Sequence, residues 1–245
     1  MWSSIYDEVL DVMGAFNSDV LFFRGHGDPS WQLTPNINRF KYKKTLNLEA
    51  LEGITFFDYK TRSGNLLERN SSSWDVAFSM QHHGLPTRLL DWSESFAVAL
   101  YFALKGVQGK QSCCVWIMNP FDLNKKYGWG NVLPHPSELD SSYEEYFILN
   151  EGKIKCEYDV LAISPLRHNS RMFNQRAGFT IHFNLDERLD ENNDYIHKVV
   201  IPYEAHDEAR IFLKLAGITE FSIFQDLDGL SRDLYKSHYG RLLKE

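Results

Sequence analysis

The sequence predicts a single α+β domain, and three observations carry that prediction. Helical patterns fill most of the first 105 residues. Short apolar runs then cluster in the second half, without the regular βαβ alternation of a doubly wound sheet. No proline-rich linker, low-complexity tract or repeat divides the chain, so residues 1–245 read as one domain. The composition supports a core. It is 43% hydrophobic, 14% aromatic and 24% charged, which excludes disorder as the dominant state. A chain of this size buries about 70–75% of the surface that its unfolded form exposes.

Each element has a local reason. Residues 3–16 place Ile5, Val9, Val12 and Phe16 at three- and four-residue spacing, an acidic amphipathic helix packed on the domain. Val20–Phe23 reads as a short strand ending at Arg24-Gly25. Residues 47–68 and Trp74–His82 read as helices, the second broken by Gly84-Leu85-Pro86. Leu89-Leu90 is a short extended piece. Glu94–Lys105 is apolar nearly all round, so it belongs in the core, with Ser93 as its expected N-cap. Strands are expected at 113–118, 158–163, 178–184 and 197–202. Residues 204–216 form a helix closed by Gly217. Phe221–Phe224 reads as a strand and Leu230–Leu243 as a terminal helix.

The three cysteines, Cys113, Cys114 and Cys156, make no disulfide framework, and two of them lie in a buried strand. This predicts a reducing, cytoplasmic setting. No apolar run is long enough to span a membrane, and the start MWSSIYDEVLDVM lacks a basic leader, so no signal peptide is expected. The net charge of −7 is uneven. Residues 1–19 carry four acids and no bases, whereas residues 20–105 hold 10 Lys and Arg against 8 Asp and Glu. An anionic ligand is therefore best served by the middle third, although no broad basic surface for long nucleic acid exists.

Four segments concentrate chemistry. In Phe23-Arg24-Gly25-His26 an arginine ends a strand and a glycine follows it. The guanidinium fork suits phosphate or carboxylate, and Gly25 would let a ligand approach the backbone. The competing reading is an arginine that pairs with a carboxylate to hold a strand end. The run Gln81–Ser93 packs His82, His83, Thr87, Arg88, Asp91 and Ser93 beside the core helix, with Asp91 and Ser93 near its expected N-terminus. Adjacent histidines diverge by about 100° on a helix, so they do not form a metal pair. A plain reading has Asp91 capping the helix and pairing with Arg88. In Gln175–Thr180, Gly178 would leave room above a strand. Phe224–Gly229 lacks the closing glutamate of a calcium loop, so Asp226 or Asp228 is expected to cap the last helix.

Together these segments resemble the FRG domain family. The matching pieces are FRGHGD at 23–28, Trp31 to Pro35 with Arg39, and QHHGLPTRLLDWSESFAVALYFA at 81–103. Arg171, Gln175–Thr180 and GITEFSIFQDLDGL at 217–230 follow. The order of parts is also similar to that of the ADP-ribosyltransferases. That resemblance implies a split β-sheet flanked by helices and NAD as substrate. It implies a transferase acting on an intracellular macromolecule, nucleic acid such as RNA slightly before protein. It also implies a bacterial toxin in toxin–antitoxin or anti-phage defence, with an antitoxin protein as partner and no membrane. By the same resemblance Arg24, Asp91, Gln175 and His83 are the catalytic residues. Gly25, His26, Thr87, Arg88, Ser93 and Phe102 would hold NAD, with Arg24 and Arg88 on the pyrophosphate. Where that pattern has a catalytic glutamate, this sequence has Gln175 and Gly178, leaving Asp91, Glu220 or Asp226 to replace it. Two other functions stay open: a non-catalytic binding module, and a nuclease or hydrolase using His82, His83 and Asp91. No metal is expected.

Overall fold

The computed structural model describes residues 1–40, 47–68, 70–139, 141–146, 158–165, 170–190 and 193–240. Cys156 and residues 241–243 of the expected terminal helix lie outside them. The chain runs α1 (Trp2–Phe16), β1 (Phe22–His26), α2 (Leu48–Ser63), α3 (Ser73–His82), β2 (Leu89–Ser93) and α4 (Phe96–Gly106). It continues through β3 (Cys113–Met118), α5 (Pro120–Lys126), β4 (Val160–Ile163), α6 (Ser170–Asn174), β5 (Ala177–His182) and β6 (Ile196–Ile201). It ends with α7 (His206–Leu215), α8 (Glu220–Phe224) and α9 (Leu227–His238). The fold is α+β, as the sequence predicts.

Six strands form one antiparallel sheet in the order β4-β5-β2-β1-β3-β6. Its two halves are unevenly joined. Five residues of β2 pair with β5, and five of β1 pair with β3. Between β1 and β2 there is one pair, Phe23 with Ser93. The sheet parts at its centre after this single rung.

The pleat sends Phe23, Val115, Ile117, Val199 and Ile201 to one face, where α1, α4 and α7 cover them. On the same face of the other half, Leu89, Phe179, Ile181 and Leu161 pack under Phe56 of α2 and Trp74, Ala77 and Phe78 of α3. The opposite face is continuous. Phe22, Trp92, Cys114, Trp116 and Met118 pack there with Leu33, Leu123 of α5 and Leu189. Two helical groups thus sit over two half-sheets, with a parting between them.

The structure corrects two local expectations. Strand β2 extends through Ser93 because it pairs with Ala177, so the cap of α4 falls to Ser95, whose side chain accepts from the Val98 N–H at 3.4 Å. Phe221–Phe224 is helical. Thr219 and Ser222 form a capping box at the start of α8, and that local hydrogen bonding decides a run too short for periodicity to settle. Asp226 caps α9, accepting from the Gly229 N–H at 2.5 Å, as expected.

Candidate functional site

A cavity of about 300 Å3 opens where the half-sheets part. Strand β1 contributes Arg24, β2 contributes Asp91 and Ser93, and α4 contributes Val98, Ala99 and Phe102. Phe78, Gln81 and His82 of α3, with Gln175 and Phe179, close the far side, and Trp31 stands at the edge. An apolar, aromatic wall with a few convergent polar groups is the usual make-up of a small-molecule site.

Arg24 bridges the parting. Its Nη1 donates to the Asp91 carbonyl at 2.5 Å, replacing the backbone rung missing between β1 and β2. The Asp91 carboxylate lies 4.0 Å from the same nitrogen. Arg24 Nε donates to His26 Nε2 at 3.1 Å, leaving Nη2 for another acceptor. Burial pushes the Arg24 guanidinium below its ordinary value, and Asp91 works against that. Asp91 is about half exposed, and its Oδ2 accepts from Gln81 Nε2 at 2.6 Å. Its Oδ1 takes no hydrogen bond from a described residue. Gln175 Nε2, on the opposite wall, is a buried donor without a partner. The cavity therefore offers a guanidinium edge, an open carboxylate oxygen and an unpaired amide donor.

The structure brings together Arg24, Gly25, Asp91, Ser93, Phe102 and Gln175 from the sequence-predicted set. Four members fall elsewhere. Arg88 has no accessible side chain and is locked to Glu52 of α2, with Nη2 to Oε2 at 2.8 Å. It reaches neither Asp91 nor the cavity. It precedes β2, and the Glu52 carboxylate holds its guanidinium in the interior beneath α2. Thr87 is fully buried and donates to Gln81 Oε1 at 2.7 Å, so it acts behind the wall. His83 ends α3 on the far side and lines a separate groove with Tyr59 and Ser79, whereas His82 faces the cavity. The proposed grouping of His82, His83 and Asp91 therefore does not converge. Among the described residues, no three His, Cys, Asp or Glu side chains gather to hold a metal.

His26 is 5% exposed and accepts from Arg24, so it braces the guanidinium from outside the lining. Burial, followed by the Arg24 charge, lowers its pKa from 6.5 to about 3. Between those values the unfolded chain binds a proton that the folded chain refuses. The stability this gives is complete above pH 6.5 and is lost as pH falls toward 3. The expected NMR titration of the His26 ring shows no transition above about pH 4. A midpoint near 6.5 would refute the buried geometry.

The glycines serve packing. A Cβ on Gly25 would sit 1.9 Å from the Ala99 carbonyl oxygen, so α4, not a ligand, occupies the space beside it. A Cβ on Gly178 would sit 2.4 Å from the Phe22 ring, which fills the room expected for something bulky.

Of the carboxylates that could replace the absent glutamate, only Asp91 faces the cavity. Glu220 is 3% exposed and takes Tyr101 at 2.5 Å, Lys105 at 2.7 Å, and Arg232 and Lys236 at 3.0 Å, tying α8 and α9 to α4. Burial alone would raise its carboxyl, but hydrogen bonds from Lys105, Tyr101 and Lys236 bring it down to about 2. Asp226 is spent on its cap. Two residues that sequence reasoning left unassigned matter most to the architecture: Glu52 and Gln81. Gln81 stood inside the recognised motif, whereas no spacing in α2 marked Glu52.

The fold and cavity define an antiparallel α+β domain with a small-ligand cleft at the parting of its sheet. A family model for the FRG domain matches residues 19–112, the stretch from the approach to β1 through α4. Over that stretch the chain is similar to the FRG domain, in line with the motifs at 23–28 and 81–103. Most of the cavity's walls fall inside that stretch, whereas Gln175 and Phe179 lie beyond it. No curated protein and no solved structure matches the chain. No described helix is long and apolar enough to cross a membrane.

Proposed function

We propose that this chain is an NAD-dependent ADP-ribosyltransferase working in the cleft between β1 and β2. The observation that supports it is the meeting of Arg24 and Asp91 across the parted sheet, within an aromatic-walled cavity. The volume suits the nicotinamide–ribose end of NAD, and the adenosine end would extend beyond the cavity. Arg24 Nη2 would hold a phosphate oxygen, and Gln175 Nε2 an acceptor on the substrate. Asp91 Oδ1 would face the ribose carbon as the nicotinamide–ribose bond breaks. The bonding pair leaves with nicotinamide, and the carboxylate stabilises the cationic sugar that remains. An acceptor nucleophile then bonds to that carbon and loses its proton to solvent. The acceptor in this reading is a macromolecule, nucleic acid before protein, because the cleft belongs to the basic middle third of the sequence.

The test is incubation of the purified chain with labelled NAD and a cell lysate. Label is expected in one macromolecular fraction, and nuclease or protease treatment identifies it. Arg24→Ala is expected to abolish transfer. Arg24→Lys retains the charge but loses the fork, so it should transfer at a strongly reduced rate. Unaltered labelling by Arg24→Ala, or no labelling by the wild type, would sink this function. The internal pairing of Arg88 with Glu52 favours a second reading, a binding module whose polar motif serves the fold. Thermal stabilisation by NAD together with nicotinamide release would remove it.

A further inference from the structure

We infer that Gln81 and Thr87 are positioning residues that hold the Asp91 carboxylate through a one-way relay of hydrogen bonds. The assignment of a chemical role to Asp91 rests on the function proposed above; the relay itself rests on geometry. Thr87 is fully buried and Gln81 is 8% exposed. A hydroxyl has one proton to give and two lone pairs to receive with. The Leu89 N–H donates to Thr87 Oγ1 at 3.1 Å, so the Thr87 proton is available to Gln81 Oε1 at 2.7 Å. That contact sets the Gln81 amide so that its NH2 end donates to Asp91 Oδ2 at 2.6 Å. The reversed amide would bring Oε1 against a carboxylate, so both ends agree on one orientation. The neighbouring Arg88 fixes the start of the relay. Its backbone N–H donates to Glu52 at 2.8 Å and its side chain is pinned by the same carboxylate.

The consequence lies at Asp91. An aspartate with a half-exposed side chain would ordinarily sample several rotamers. Here Asp91 lines the cavity with Oδ2 committed to the relay, which leaves Oδ1 without a hydrogen bond from a described residue. A carboxylate held through one oxygen by its own fold can act without reorganising. The Gln81–Asp91 run therefore works as a device for aiming one oxygen.

Thr87→Val removes the hydroxyl at nearly constant volume, and Thr87→Ser restores it. With full-length protein and NAD, Thr87→Val is expected to lower kcat for nicotinamide release by about 10- to 100-fold. KM should change by less than about twofold, and Thr87→Ser should stay within about twofold of wild type. A merely structural role would lower the melting temperature and leave kcat intact. If Thr87→Val keeps the wild-type kcat while Asp91→Asn loses it, the relay is overturned and the catalytic reading survives. Exchange of the Gln81 side-chain amide protons, read by NMR, needs no turnover. Slow exchange in wild type and Thr87→Ser, with fast exchange in Thr87→Val, supports the relay even if nicotinamide is never released. Exchange indifferent to residue 87 overturns it. Should Thr87→Val fail to fold, Gln81→Met at the cavity wall gives the same kinetic decision.

Discussion

Glu52→Gln is expected to destabilise the protein by about 3–5 kcal/mol, the range for breaking a buried ion pair. Glu52 is 1% exposed and Arg88 has no accessible side chain. Oε1 accepts the Arg88 N–H at 2.8 Å and the Tyr143 O–H at 2.6 Å, while Oε2 accepts Arg88 Nε at 2.9 Å. Every partner of this carboxylate is a donor. A glutamine must place an NH2 against one of those sets and leaves the Arg88 charge uncompensated. Burial opposes the charged guanidinium, but Glu52 outweighs it and holds Arg88 above its ordinary value. Tyr143 is raised well above its own by burial and then by the Glu52 charge. At about 2–4 °C per kcal/mol for a chain of this size, the melting temperature should fall by roughly 10 °C. The double variant Glu52→Gln/Arg88→Met removes the stranded charge and should recover part of the loss. A single variant that melts within about 2 °C of wild type would refute the pair's role.

Gly25→Ala is expected to cost about 3 kcal/mol, the upper end for overpacking, and to widen the cavity. The added Cβ would meet the Ala99 carbonyl oxygen at 1.9 Å and the Ala103 nitrogen at 2.5 Å. Both are backbone atoms of α4, so no rotamer change relieves the clash and the helix itself must move. That helix carries Val98, Ala99 and Phe102 of the cavity wall. Gly14 is the contrast, since a Cβ there meets nothing within 4 Å on an exposed face of α1. Gly14→Ala should stabilise by about 0.5–1 kcal/mol through helix propensity. Paired denaturant titrations decide the matter: equal effects at both positions would contradict the close packing of β1 against α4.

Both outcomes bear on what the Phe-Arg-Gly motif is for. Its arginine replaces a missing rung and turns one guanidinium edge to the cavity. Its glycine admits a helix, not a ligand. The motif builds the parting of the sheet, and the parting holds the cavity.

The sequence by itself determined the α+β class, most of the elements and the segments that line the cavity, but not the short helices α5 and α6. The physical reason is that apolar periodicity, capping residues and chain breakers act over a few residues and are written locally. It located Arg24, Asp91 and Gln175 by residue chemistry and motif resemblance. It misread Phe221–Phe224, where five residues of helix depend on a capping box and carry too little periodicity. Tertiary structure alone decided which partner each charged side chain takes. Arg88 lies three residues from Asp91 in the sequence, yet it pairs with Glu52, 36 residues away, because α2 brings that carboxylate to it in the buried interior. Glu220 looked available as a carboxylate until α4 and α9 brought three cations and a tyrosine around it. Pairing energy depends on distance and burial, and neither is encoded at any single position of the chain.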